Sequence, residues 1–229
     1  MEKLIIVGIG TNGRHAFEFI KDYQLYDVIG FAVDRQFLND NSSFKGLPVY
    51  AIEDLQEKFS RDSVKLFVAL LWNRLNADRK ELFERLSAGG WQFANIISPY
   101  ARIRGRIEGC NVWVHDNVVI QNDTVIMDDV SIMGMTLVGA NCTIRKHVFL
   151  GAKSTIGGGS IVGEQTFVGM NCTVFDNTIV GAKCILGACT AVKRNVPDCC
   201  VIKTSSVIEM KQYSEEEIEN KLLYRKNVR

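Results

Sequence analysis

Between residues 112 and 192 an aliphatic side chain falls on every sixth position without a slip: Val114, Ile120, Ile126, Ile132, Val138, Ile144, Leu150, Ile156, Val162, Val168, Val174, Val180, Leu186 and Val192. Two positions before each stands a small or β-branched residue, such as Thr124, Cys142 or Ser160, and glycine follows half of them. This is an internal repeat, with each hexad stacking on the next to bury what it cannot bury alone. It predicts a hexapeptide-repeat β-helix of roughly eighteen residues per coil. Alternation along each short strand turns the residue before each aliphatic outward. On one face these outward residues are Trp113, Ser131, Phe149, Phe167 and Ile185. So apolar a strip should not face water, and it is expected to lie under a neighbouring subunit or the C-terminal tail. Ile103 and Ile107 fall outside the register, so residues 101–111 read as an irregular cap.

Ahead of the repeat, short apolar runs alternate with amphipathic stretches. The pattern predicts strands over 3–8, 27–33, 47–50, 64–71 and 93–97, helices over 12–23, 52–59 and 77–87, and a loop over 35–46. Alternating β and α elements make a small open parallel sheet, a Rossmann-like α/β domain. Its first strand runs into Gly8-Ile9-Gly10-Thr11-Asn12-Gly13, and its second ends in Asp34. Glycines there let the backbone approach a phosphate, the helix N-terminus favours its charge, and the acid accepts from ribose or base. The fingerprint is weak by itself, and a loop that binds nothing is the competing reading. Asn73 and Arg74 follow the fourth strand at the carboxyl edge where such sheets hold ligands; a simple polar turn is the alternative there. The length suits a mononucleotide.

Ser98-Pro99-Tyr100 marks a boundary, giving a front domain over 1–98, a β-helix over 99–203 and a tail over 204–229. In the tail, Ser214 followed by Glu215, Glu216 and Glu217, with Ile218, Leu222 and Leu223 behind, predicts a capped C-terminal helix that docks on the body.

A formal charge of +1 gives no reason to expect nucleic acid or an anionic membrane. No apolar run approaches the ~18 residues of a membrane span and no signal pattern opens the chain, so a cytoplasmic protein is expected. The seven cysteines include no Cys-x-x-Cys pair, and Cys142, Cys172 and Cys184 occupy the small inward slot of the repeat, where they read as packing residues. The histidines, His15, His115 and His147, are too scattered for a zinc site, and no metal is expected.

A mononucleotide-type sheet followed by hexapeptide coils resembles the bacterial sugar acyltransferases of the sialic acid O-acetyltransferase and UDP-bacillosamine N-acetyltransferase type. The likeness rests on Gly8 to Arg14, on Gly30-Phe31-Ala32-Val33-Asp34, on the run from Phe67 through Asn73 to Asn76, on Ile97-Ser98-Pro99-Tyr100-Ala101, and on the closing run from Gly187 to Pro197. It implies a left-handed β-helix, a homotrimer, a UDP- or dTDP-linked sugar in the front domain and acyl-CoA along the coils between subunits. It implies acyl transfer from acetyl-CoA, as co-substrate, to a sugar amine or hydroxyl in bacterial surface glycan biosynthesis. Carried over by position, the nucleotide-sugar residues are Gly8, Gly10, Thr11, Asn12, Gly13, Asp34 and Asn73. Those for acyl-CoA are Phe149, Gly169, Met170, Gly187 and Ala188.

At the site of chemistry the match fails. The family's basic His and its acidic helper fall on Ala140 and Asn141, the His that touches acyl-CoA falls on Phe149, and Thr204-Ser205-Ser206-Val207 replaces the family's closing Gly-Asn-Pro-Ala turn. Asn141 and His147 are the remaining catalytic candidates. Without a base an amine can still attack a thioester after losing its proton to water, whereas a hydroxyl is far harder to use. An amino sugar is therefore the favoured acceptor. The alternative is a catalytically lapsed homologue that binds nucleotide sugar or serves as a structural or regulatory trimer.

Overall fold

The computed structural model describes residues 1–38, 43–70 and 72–204 together with Gln212 and Ser214; the expected C-terminal helix lies outside the described residues. The front domain contains β1 (Lys3–Val7), α1 (Thr11–Asp22), β2 (Asp27–Val33), β3 (Ser43–Phe44), β4 (Leu47–Ala51), α2 (Leu55–Lys58), β5 (Lys65–Val68) and α3 (Ala77–Ala88). Its sheet runs β3-β4-β2-β1-β5, parallel except for the edge strand β3, which pairs antiparallel with β4 inside the stretch expected to be loop. Leu4, Ile5, Ile6 and Val7 are wholly buried, as a strand covered on both faces requires.

The stretch expected as a fifth strand of this sheet divides. Phe93 makes a single bridge to Leu66, and Ile96–Ile97 leaves to pair with Trp113–Val114 as the first rung of the coils. Ile103 and Ile107 belong to the coils as well, because Arg102–Ile103 and Arg106–Ile107 pair in parallel with the strands of Ile120 and Ile126. The cap is thus a first coil with one shortened side and one lengthened side, which a strict six-residue count cannot see.

From there the chain winds into a left-handed parallel β-helix of three sheets. Each sixth-position aliphatic points inward and is buried. From Val114 to Leu186 the third residue after each takes a left-handed conformation at the corner, from Asn117 (φ 57°) and Asp123 (φ 59°) through Asn141 (φ 58°) and His147 (φ 60°) to Cys189 (φ 59°). Asn and Asp tolerate that geometry best, so corner duty alone accounts for Asn141. The small inward slot does more than pack: Thr124 Oγ1 donates to the Gly139 carbonyl at 2.6 Å, Thr166 Oγ1 to Gly181 at 2.8 Å, and the Cys184 thiol to Pro197 at 3.1 Å. Corner carbonyls that would otherwise be buried without partners are satisfied in this way.

Most of the outward apolar strip, expected under a neighbour or the tail, packs against the chain's own front domain. Trp113 meets Phe67, Phe19 and His15, Ser131 accepts from Arg79, and Phe149 and Phe167 stack on each other (5.1 Å, 2°) beneath Trp72. Among the described residues the coverage ends there, and Ile185 is exposed.

Candidate active site

The proposed phosphate loop follows β1, at the centre of the sheet. The chain passes from β1 to β2 on one side and then returns to place β5 on the other, so a crevice opens between the carboxyl ends of β1 and β5. Gly8 sits at φ +121°, and a Cβ on Gly13 would lie 2.0 Å from the Gly8 carbonyl oxygen, so both positions require glycine. Asn12 Nδ2 spans the crevice to donate to the Leu70 carbonyl at 3.0 Å. The first turn of α1 carries no acid, which leaves its N-terminus open to an anion. Asp34, after β2, is ion-paired with Arg85, and the two line a cleft of about 500 Å³ with Phe37, Leu70 and Arg74. Asn73 is exposed in the turn after β5. The nucleotide candidates therefore gather at the carboxyl ends of three adjacent strands.

That turn is held by the coils. Arg74, Leu75 and Asn76 are all left-handed (φ 48°, 55° and 62°), a costly run for non-glycine residues. Asn76 Nδ2 donates to the His147 carbonyl at 2.9 Å, and Gln165 Nε2 donates to the Leu75 carbonyl at 3.0 Å. Behind it lies a buried polar ladder that sequence reasoning missed. Asn111, Asp129 and His147, eighteen residues apart, stack on successive coils: Asn111 Nδ2 meets Asp129 Oδ1 at 2.7 Å, and Asp129 Oδ2 meets His147 Nδ1 at 2.9 Å. Arg79 of α3 adds Nε to Asp129 Oδ2 at 3.1 Å, Nη2 to the Asp129 carbonyl and Nη1 to Ser131. The eighteen-residue spacing was the available signal, since residues one coil apart are neighbours.

The corner that the resemblance offers as the site of chemistry is different in character. Ala140 lies at the corner following the strand Leu137–Val138, and its N–H donates to Gln121 Oε1 at 3.1 Å. A cavity of about 370 Å³ opens beside it, lined by Arg102, Arg104, Val119, Gln121 and Asn122. The Asn141 side chain is exposed at this corner, whereas His147 lies at a separate corner, 1% exposed, with Nε2 3.6 Å from Glu84. The structure does not bring the two together. Of the acyl-CoA candidates, Phe149 is buried under Trp72, Gly169 is buried, Met170 and Ala188 are exposed, and Gly187 is half-buried. Cys142, Cys172 and Cys184 are buried free thiols pushed up by burial. Among the described residues no cluster of three or more His, Cys, Asp or Glu could hold a metal ion.

His115 lies stacked on Trp113 (4.5 Å) at the domain seam, with its Nε2 unpartnered. Burial, with His15 nearby as a lesser cause, pushes it down to about 4 from an ordinary 6.5. Between those values the unfolded chain takes up a proton that the folded chain refuses, so stability falls as pH falls through this window, by up to ~3 kcal/mol. A His115→Gln variant is expected to show a flatter loss in urea melts between pH 6.5 and 4; an unchanged slope would remove His115 from the acid response.

A Rossmann-like domain docked on hexapeptide coils is the architecture of the hexapeptide-repeat sugar acetyltransferases. No family model and no curated protein matches the chain. Among solved structures, a variant of perosamine N-acetyltransferase from Caulobacter crescentus, in complex with CoA and GDP-perosamine, is 26% identical and covers 88% of this chain and 93% of its own, with a TM-score of 0.76. The acetyltransferase domain of PglB from Neisseria gonorrhoeae, at 22% identity, 88% and 96% coverage and a TM-score of 0.76, shares the fold.

Proposed function

We propose that this protein transfers an acetyl group from acetyl-CoA to the amine of a nucleotide-linked sugar. The observation that carries the reading is the pairing of a phosphate-type crevice with coils in one rigidly tied body, in an arrangement similar over nearly the whole chain to an enzyme solved with CoA and GDP-perosamine. In the reaction the free amine attacks the thioester carbonyl, a C–N bond forms, the C–S bond breaks, the nitrogen gives up one proton to water, and CoA leaves as a thiolate that takes one up. The missing base at Ala140 leaves the ammonium's proton to water, which favours an amine over a hydroxyl. On this reading Gly8, Gly10, Thr11, Asn12, Gly13, Asp34 and Asn73 hold the nucleotide sugar, the protein assembles as a homotrimer, and it works in the cytoplasm on a precursor of surface glycan. No helix among the described residues is long and apolar enough to cross a membrane.

The absent base favours one second reading, a binding protein that has lost catalysis. Thermal melting with acetyl-CoA, UDP, dTDP and GDP in separate samples tells them apart. A ligand at a hundredfold over its Kd stabilises by about 2.7 kcal/mol, so the enzyme is expected to shift upward with acetyl-CoA and with one nucleotide. A shift with a nucleotide alone would support the lapsed homologue, and no shift with any of them would overturn both readings.

A further inference from the structure

The cavity beside Ala140 is lined by donors without a matching acid. Arg102 N donates to the Val118 carbonyl at 2.8 Å and Arg104 N to Ile120 at 2.9 Å, which hangs both residues on the coil next to Val119 and Gln121. Asn141 N donates to the Asn122 carbonyl at 3.0 Å, so Ala140 sits one coil further on. Among the described residues neither Arg102 nor Arg104 makes an ion pair, although Arg106 on the same coil is matched by Glu108 at 3.1 Å. Gln121 spends its oxygen on the Ala140 N–H, and this leaves its amide nitrogen to donate. The Ala140 methyl fills little of the space. Two planar guanidiniums and two amides around one cavity suit a group that accepts at several oxygens and carries negative charge.

We propose that this cavity binds an oxyanion, a carboxylate or phosphate group, on Arg102 and Arg104. The acyltransferase reading supplies where that group comes from: a carboxylate on the acceptor sugar, or a phosphate of CoA. The anion site itself stands independently of that reading.

The test uses the full-length protein and an Arg102→Gln/Arg104→Gln variant shown by thermal melting to be folded, with Arg102→Gln alone in reserve. Inorganic pyrophosphate is titrated calorimetrically at low salt, where the variant is expected to bind at least ~10-fold more weakly. The same comparison is made with UDP-glucuronate against UDP-glucose, and with CoA against 3′-dephospho-CoA. A loss confined to UDP-glucuronate assigns the site to a sugar carboxylate, and one confined to CoA assigns it to the donor's phosphate. If the wild type binds no nucleotide sugar and no CoA, yet the pyrophosphate loss persists, the anion site stands and the acyltransferase reading falls. Equal affinities of variant and wild type for every probe would overturn the proposal.

Discussion

Placing a base at the empty corner, with Ala140→His and Asn141→Asp together, is expected to raise kcat by about 10²–10⁴-fold, the range general base catalysis supplies. The corner backbone is already that of every other coil, and Asn141 is left-handed, a conformation Asp also tolerates. The new imidazole enters a cavity of about 370 Å³ and does not displace a packed side chain. The gain is expected in kcat more than in KM, because the base acts on the transition state and not on bound substrate. A hydroxyl acceptor should gain more than an amine, since the amine already has a route through water. A variant that binds both substrates and turns over no faster would show that Ala140 is not where the proton must go.

Asp129→Ala is expected to cost about 3–5 kcal/mol of stability, the range for removing one partner of a buried ion pair. Arg79 and Asp129 are 3% and 1% exposed, and the substitution also strips Asn111 and His147 of their acceptor. The loss should reach the ligand crevice, because the strained turn at Arg74, Leu75 and Asn76 is held by the next rungs of the same corner. Urea denaturation gives the first quantity, and weaker nucleotide binding by the folded fraction gives the second. A loss under ~1 kcal/mol would mean that the seam relaxes and the network is not what joins the domains.

The register of the coils was legible because each hexad must turn one aliphatic side chain inward, and that demand repeats without exception from Val114 to Val192. The glycine turn after β1 was legible because Gly8 and Gly13 are needed for backbone reasons that no other residue meets. What covers the outward strip was not. Trp113, Ser131 and Phe149 announced that something must lie on them, but the partner includes Arg79, a charge in the first turn of α3 that reads as solvated until its coil-side acid is placed opposite it. The polar ladder at Asn111, Asp129 and His147 was hidden for a related reason: the six-residue ruler tracks apolar positions, and these corner residues differ in type while sharing an eighteen-residue spacing. Ile103 and Ile107 escaped the count because one side of the first coil is short and the next is long. The candidate corner at Ala140 was offered only by the resemblance, since nothing in the local sequence marks Ala140 as unusual.

The most direct measurement is release of CoA thiol from acetyl-CoA with UDP-, dTDP- and GDP-linked 4-amino sugars as acceptors, alongside the matching 4-hydroxy sugars, with acetylated product confirmed by mass. Thiol release that depends on an amino sugar and clearly exceeds that with its hydroxyl counterpart is the expected result. Equal or faster transfer to the hydroxyl sugar, or no transfer to any acceptor at saturating acetyl-CoA, would contradict an amine acetyltransferase working without a base.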